Sequence, residues 1–159
     1  MIVGLHHVAL AVKDMDRMLA FYRDMTGFPI VHDARWEPGN ARIDALVGLP
    51  DSSARVVVLH GGNLYIELFE YFSPQGKAGD LRRPVCDAGI THMCLVVDDI
   101  DAEYARMTEA GIYFHAPPGP RSAFRATYGR DPEGNVFELI QFIEDHAFAF
   151  DRLALATNR

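Results

Sequence analysis

The sequence has few of the features that mark membrane or secreted proteins. No apolar run approaches the roughly 20 residues that a membrane-spanning helix requires. The N-terminal residues lack the basic flank and the small-residue cleavage site of a secretory signal. Only two cysteines are present, Cys86 and Cys94, which are too few for a disulfide framework and match no zinc-site spacing. We therefore expect a cytoplasmic protein in a reducing environment.

Positive charge is also scarce. Fifteen basic residues stand against 22 acidic ones, the net charge is −7, and the longest basic run is the pair Arg82 and Arg83. Because nucleic acids and anionic membranes are bound through clusters of Lys and Arg, we expect neither as a partner. Hydrophobic residues, by contrast, make up 49% of the 159 residues. That share is typical of an ordinary soluble globular protein.

One pattern occurs twice along the chain. The strand-like run that begins at His7 is repeated from His92, with an offset of 85 residues. A second echo, with an offset of 71 residues, relates the apolar run around Glu67 to the run around Glu138. Two echoes in the same order indicate duplication of one structural unit. The smaller second offset places a longer middle in the first copy, at residues 33–54.

Each copy predicts a strand, a helix and three further strands, although the second strand is weakly marked. The helices are expected at about 15–25 and 100–110, each begun by a capping aspartate and followed by a glycine. Prolines interrupt residues 33–54 and 73–90, which we expect to be loops. The predicted fold class is α+β. We expect a first βαβββ module at 1–72, with an insertion at 33–54, then a connecting loop at 73–88 and a second βαβββ module at 89–143. The tail at 144–159 can add a short helix.

Two glutamates stand in runs that are otherwise apolar. Glu67 and Glu138 have apolar neighbours on both faces of their predicted strands. An ionised carboxylate in such a place is costly unless it is paired or bound to a metal. Each follows a strand that bears a histidine, His7 or His92, so we predict one divalent ion (Zn, Ni, Co, Mn or Fe) held by two imidazoles and two carboxylates. Pairing with an arginine such as Arg125 is the competing structural interpretation.

A second histidine, His6, competes with His7 for the role of ligand. In the repeat, Thr91 stands opposite His6, and His92 stands opposite His7. Because side chains alternate along a strand, we expect His6 to point to the other face.

Together these motifs resemble the vicinal oxygen chelate superfamily, which includes glyoxalases, bleomycin-resistance proteins and extradiol dioxygenases. The resemblance is most specific at residues 5–12, 89–93 and 131–139. It implies two βαβββ modules that form a curved, cupped mixed sheet around a metal. It also implies that the ligands are the same four residues, His7, Glu67, His92 and Glu138.

Departures from the family pattern narrow the expected activity. The full set of two histidines and two glutamates is similar to glyoxalase I, whereas methylmalonyl-CoA epimerases typically have Gln where Glu67 stands. They also use a carboxylate on the preceding hairpin strand, and residues 55–60 contain no acid. We therefore expect a metal-dependent isomerase, epimerase or lyase that stabilises the enolate of a small hydroxy- or oxo-carbonyl substrate, with Glu67 or Glu138 as the base. The alternatives are an Fe(II) extradiol-type dioxygenase and a non-catalytic binding or resistance protein.

Several further residues are candidates for substrate binding. Three arginines precede the last predicted hairpin, and Arg125 is expected to clamp the carboxylate of a small organic acid or acyl conjugate. Tyr65 and Phe69 alternate with Glu67 and are expected to line its face. Cys94 is expected to be an inert thiol. The apolar residues near the C terminus favour a homodimer.

Overall fold

The computed structural model describes residue 2 and residues 4–153. The chain divides into two compact units. The N-terminal unit spans Leu5–Gly79, and the C-terminal unit contains the second half of the chain from Asp80. Over the described residues, the strands form two four-stranded sheets, one in each unit. In that part of the chain, no helix has both the length and the apolar composition needed to cross a bilayer.

The sheet of the N-terminal unit has the strand order β1-β4-β3-β2. Strand β1 runs parallel to β4, and the other neighbours are antiparallel. The elements are β1 (His7–Val12), α1 (Met15–Leu19) with a π-helical extension (Ala20–Met25), β2 (Ile30–Trp36), α2 (Ala41–Val47), β3 (Ser53–His60) and β4 (Tyr65–Ser73).

The C-terminal unit repeats this topology with the strand order β5-β8-β7-β6. The first strand is again parallel to the last, and the hairpin strands are antiparallel. The elements are β5 (His92–Val96), α3 (Ile100–Glu109), β6 (Tyr113–Phe114), β7 (Phe124–Arg130), β8 (Val136–Phe142) and a 3-10 turn (Phe150–Arg152). The predicted α+β class and the βαβββ order of both copies are therefore confirmed.

The core of the N-terminal unit lies on one face of its sheet. Val57 and Leu68 are register partners on this face, and both are completely buried. Helix α1 contributes Met15 and Met18, which are also buried. The helix begins where predicted because the Asp14 carboxylate accepts a hydrogen bond from the free backbone N–H of Arg17 at 3.0 Å.

The C-terminal unit is built in the same way. Asp99 caps α3 by accepting from two backbone N–H groups of its first turn, and Ile100 is completely buried. On the sheet, Phe137 and Leu139 are fully buried on the core face. Gly129 allows this packing, because a Cβ there would lie 2.5 Å from the Phe137 ring.

The prediction that residues 33–54 form a loop is wrong. Strand β2 continues to Trp36, and helix α2 follows it. Asn40 caps the helix by accepting a hydrogen bond from the backbone of its first turn, and Gly48 ends the helix in a left-handed conformation with φ 70°. The two prolines that suggested a loop lie just outside the helix, where they interrupt nothing.

The connecting segment and the tail contain little regular structure. Residues 74–91 carry only turns and bends. In the tail, the short helix is limited to the 3-10 turn, and residues 154–159 lie outside the described part of the chain. Phe148 and Phe150 are 56% and 43% exposed. The homodimer that such apolar residues favour stays a prediction.

Candidate functional site

The N-terminal unit brings His7 and Glu67 together. Because β1 and β4 are parallel and pair His7 with Tyr65 and Ala9 with Glu67, the two side chains lie on the same face of the sheet. The imidazole Nε2 is 3.4 Å from the carboxylate Oε2. The Glu67 side chain keeps 21% of its surface exposed, so it is reachable from solvent on the face opposite the core.

The C-terminal unit brings His92 and Glu138 together with the same register. Strands β5 and β8 pair His92 with Val136 and Cys94 with Glu138. The Nε2 and Oε2 atoms are 3.2 Å apart, and Glu138 is 15% exposed. The duplication that the sequence predicts thus places one histidine–glutamate pair in each unit.

In both units the residue before the histidine lies within hydrogen-bonding distance of the imidazole Nδ1, the ring nitrogen that does not face the glutamate. Thr91 Oγ1 is 2.8 Å from Nδ1 of His92, and Nδ1 of His6 is 2.9 Å from Nδ1 of His7. Such a contact fixes the orientation of the imidazole and leaves Nε2 to face the carboxylate. Thr91 and His6 are therefore positioning residues, a role that the repeat in the sequence does not reveal.

The donor atoms of each pair suit a divalent cation. In the tautomer in which Nδ1 of His92 donates to the Thr91 hydroxyl, Nε2 presents a lone pair to the Glu138 carboxylate. Two acceptors that face each other across 3.2 Å are stabilised by a positive charge, either a proton on Nε2 or a metal ion. Imidazole nitrogen and carboxylate oxygen are ligands of the transition metals predicted from the sequence.

Across residue 2 and residues 4–153, no group of three or more His, Cys, Asp or Glu side chains is gathered around one point where a metal could sit. The described geometry consists of the two pairs, His7 with Glu67 and His92 with Glu138. The set of four ligands therefore stays a prediction.

The predicted orientation of His6 is wrong. Its ring lies 4.9 Å from the ring of Tyr65, which is the register partner of His7. Strict alternation does not hold because β1 begins at His7, so His6 precedes the strand. Its counterpart in the repeat, Thr91, has the same role towards its own histidine.

The predicted role of Arg125 in clamping a substrate is also wrong in its premise. Strand β7 pairs Arg125 with Gln141 and Tyr128 with Glu138, so Arg125 lies on the face opposite the glutamate. Its guanidinium donates to both carboxylate oxygens of Asp101 on α3, at 2.6 and 2.9 Å. This hydrogen-bonded pair lowers the pKa of Asp101. Arg125 is therefore a structural residue that joins the sheet to its helix.

Tyr65 and Phe69 lie on the face of Glu67 as predicted, and their role in binding substrate stays a prediction. The structure adds two aromatic residues to this face, Trp36 and Tyr71. Their ring centroids are 6.0 Å apart, and the Phe69 centroid is 6.1 Å from Trp36 and 5.8 Å from Tyr71. Trp36 falls in the segment predicted as a loop, so the sequence gives no signal for it, whereas the alternation of Tyr71 with Phe69 is a signal that points to this face.

The C-terminal unit has a different residue across from its glutamate. Tyr128 is the register partner of Glu138, and its ring centroid is 4.8 Å from that of His92. The pKa of Tyr128 is raised by burial and by the charge of Glu138, which favours a neutral hydroxyl. Val58 occupies the corresponding place beside Glu67, so the two halves differ in polarity. The length of the hairpin turn could have revealed this pairing.

Cys94 is held in its unreactive form. Burial raises the pKa of the Cys94 thiol to about 12, with further contributions from the charge of Glu138 and a hydrogen bond to it. A thiol with this pKa is almost entirely protonated at neutral pH, and the thiolate is the nucleophilic form. The structure supports the expectation of an inert thiol.

Comparison with known proteins gives one family and a set of epimerases. The family described as the Glyoxalase/Bleomycin resistance protein/Dioxygenase superfamily matches residues 4–139. A 2-epi-5-epi-valiolone epimerase from an Actinomyces species is 32% identical, over 87% of this chain and 79% of that protein. The human mitochondrial methylmalonyl-CoA epimerase is also 32% identical, but this chain spans only 48% of its length. A glyoxalase family protein from Bacillus cereus has the same fold, with a TM-score of 0.80 at 21% identity over 89% of this chain and 95% of that one.

Proposed function

The chain belongs to the Glyoxalase/Bleomycin resistance protein/Dioxygenase superfamily, and we propose that it is a metal-dependent epimerase acting at a carbon next to a carbonyl group. The observation that carries the proposal is the pair of a histidine and a half-buried glutamate, formed with the same register in each unit. Relatives that are named as epimerases support this class of reaction over the lyase and dioxygenase alternatives.

We further propose that His7, Glu67, His92 and Glu138 bind one divalent ion. Each histidine would provide Nε2, since its Nδ1 is engaged with the preceding residue. Each glutamate would provide a carboxylate oxygen, and the two carboxylates together would balance the two charges of the ion. The ion would act as a Lewis acid that polarises the carbonyl oxygen of the substrate.

The protein's own part in the reaction is the movement of a proton. Either Glu67 or Glu138 accepts the proton of the carbon next to the carbonyl at a carboxylate oxygen. As the carbon–hydrogen bond breaks, its electron pair passes to the carbonyl oxygen, and the substrate becomes an enolate. A proton from solvent is then added to the opposite face of the same carbon, the carbonyl forms again, and the glutamate releases its proton to solvent. Starting material and product differ only in configuration at that carbon, so no oxidant is consumed.

The test follows exchange of this proton with solvent. The metal-supplemented protein is incubated in deuterium oxide with 2-epi-5-epi-valiolone and, separately, with methylmalonyl-CoA. Nuclear magnetic resonance should show deuterium entering next to the carbonyl of one of them. Replacing the catalytic carboxylate, by Glu67→Gln or Glu138→Gln, should slow the exchange by about 10²–10⁴-fold, the usual contribution of a general base.

Two outcomes would contradict the proposal. Wild-type exchange rates in both glutamine variants would show that the base lies elsewhere. Ring cleavage of catechols by anaerobically prepared Fe(II) protein, without proton exchange in either test compound, would favour the dioxygenase alternative.

A further inference from the structure

We propose that Trp36, Phe69 and Tyr71 form an aromatic platform that binds the ring face of a cyclic substrate. The inference rests on the proposed function, because it names the class of carbonyl compound that the same site accepts. It concerns the N-terminal unit alone, since all three residues belong to that unit.

The aromatic platform lies beside Glu67 on the same face of the sheet. Phe69 is two residues beyond Glu67 on β4, and Tyr71 is two residues further, so all three side chains point to one side. Trp36 reaches the same side from β2, because Ala54 is the register partner of both Trp36 and Tyr71. All three rings are half-buried, so part of each is open to a ligand.

Trp36 is held in place before any ligand arrives. Its Nε1–H donates to Ser52 Oγ at 3.1 Å, and Ser52 is completely buried. The Ser52 hydroxyl in turn donates to Asp44 of helix α2 at 2.6 Å. The same carboxylate accepts hydrogen bonds from the backbone N–H groups of Ser52 and Asp51, at 2.9 and 3.0 Å. A ring fixed in this way loses little conformational entropy when it binds a ligand.

This arrangement depends on the part of the N-terminal unit that is not repeated. Helix α2 lies between the second and third strands. In the C-terminal unit the residues between β6 and β7 form no helix, and β6 contains only two residues. The insertion therefore has a specific effect: it positions Trp36 against Phe69 and Tyr71, on the face of the sheet that carries Glu67.

The chemistry of the platform favours a ring over a phosphate-bearing carrier. Aromatic faces stack on flat π systems and on the carbon–hydrogen faces of saturated rings. Within strands β1–β4, the basic residues Arg35 and Arg55 lie on the opposite face and pair with Glu37 and Asp33. Within strands β1–β4, the platform face has no arginine or lysine, so it offers neither a guanidinium nor an ammonium group to the phosphates of coenzyme A. We therefore infer a cyclic ketone or hydroxyketone as the substrate class.

The experiment uses Trp36 as its own reporter, because it is the only tryptophan in the chain. The full-length, metal-supplemented protein is titrated with 2-epi-5-epi-valiolone, and tryptophan fluorescence is recorded. We expect a saturable change in intensity. Titration with methylmalonyl-CoA, corrected for its own absorbance, should leave the intensity unchanged.

Variants then separate the platform from the reaction. Phe69→Leu should raise KM for the cyclic ketone about tenfold, which corresponds to about 1.4 kcal/mol of lost stacking, and lower kcat less. Phe72→Leu is the matched control: Phe72 is the next residue after Tyr71 on β4 and lies under the guanidinium of Arg35, whose side chain faces away from the platform. It should leave KM unchanged. Circular dichroism confirms that each variant is folded.

The outcomes distinguish the two proposals. A fluorescence change without proton exchange would support the platform and refute the epimerase. Proton exchange with a wild-type KM in Phe69→Leu would support the epimerase and refute the platform. Turnover of methylmalonyl-CoA with no detectable binding of the cyclic ketone would also overturn the platform.

Discussion

Replacing Thr91 by valine removes one hydroxyl and leaves the volume of the side chain almost unchanged. That hydroxyl is 2.8 Å from Nδ1 of His92, and the contact is partly buried. Without it, the imidazole can rotate and present either nitrogen to Glu138. Loss of an outer-sphere partner of a histidine ligand typically weakens metal binding 10- to 100-fold, so we expect the Kd for Zn²⁺ to rise by about that factor in Thr91→Val. The change corresponds to about 1.4–2.7 kcal/mol.

The assay is competition for Zn²⁺ against a chromophoric chelator of known affinity, at constant pH and ionic strength. Thr91→Ser retains the hydroxyl and is the matched control, and its Kd should stay within a few-fold of the wild-type value. Thermal unfolding of the metal-free proteins should show only a small difference between the two variants, because a single hydrogen bond contributes about 1 kcal/mol. If Thr91→Val binds Zn²⁺ as tightly as Thr91→Ser, the hydroxyl does not position the histidine.

Three further predictions follow from the contacts within the C-terminal unit. Arg125→Ala should leave KM unchanged and lower the stability at neutral pH. Since the ion pair lowers the pKa of Asp101, the deficit should shrink as the pH falls through that lowered pKa, to the part contributed by the hydrogen bond from Arg125 to the Gly119 carbonyl, and urea unfolding at several pH values would show this. Cys86 and Cys94 are both exposed, so only the pKa of Cys94, raised to about 12, should keep it unmodified by iodoacetamide at pH 7.5 while Cys86 reacts; peptide mass spectrometry that finds Cys94 alkylated as fast as Cys86 would contradict this. Gly129→Ala should lower the free energy of unfolding by about 1–3 kcal/mol, because its Cβ would overlap an aromatic ring of the core; an unchanged denaturation midpoint would contradict that packing.

Repetition made the fold predictable from the sequence. The two echoes place a histidine on the first strand and a glutamate on the last strand of each copy, and the structure has both. Asp14 and Asp99 cap the helices that follow, as predicted. A cap can be predicted from one sequence because its side-chain oxygen accepts from backbone N–H groups only two or three residues further along the chain. The starts of these two helices, which depend on neighbouring residues in the chain, are therefore confirmed.

Features that depend on register between strands were not predictable in the same way. The predicted face of Arg125 is wrong because alternation along β7 does not determine which residue of β8 is the register partner of Arg125. That register is set by the hairpin turn, and it places Tyr128 instead of Arg125 on the face of Glu138. His6 was misplaced for a related reason, since a strand must begin at a known residue before alternation can be applied.

The aromatic platform shows a third limit. Trp36 lies in a segment with several turn-forming residues. Its side chain is held by a hydrogen bond to Ser52, whose hydroxyl in turn donates to Asp44. Trp36 and Ser52 are 16 residues apart in the sequence, and Ser52 and Asp44 are 8 residues apart. Neither separation produces a periodic pattern in the sequence. Helix α2 itself could have been found, because Asn40 and Gly48 are standard start and stop signals.

The central claim is that one divalent ion is bound by a ligand from each of the four repeated positions. It is tested most directly by metal analysis of the purified protein, together with His7→Ala and His92→Ala, each checked for folding by circular dichroism. The claim predicts one ion per chain in the wild type and loss of stoichiometric metal in both variants. Full retention of metal in either variant, or two ions per chain of which each variant loses one, would contradict it.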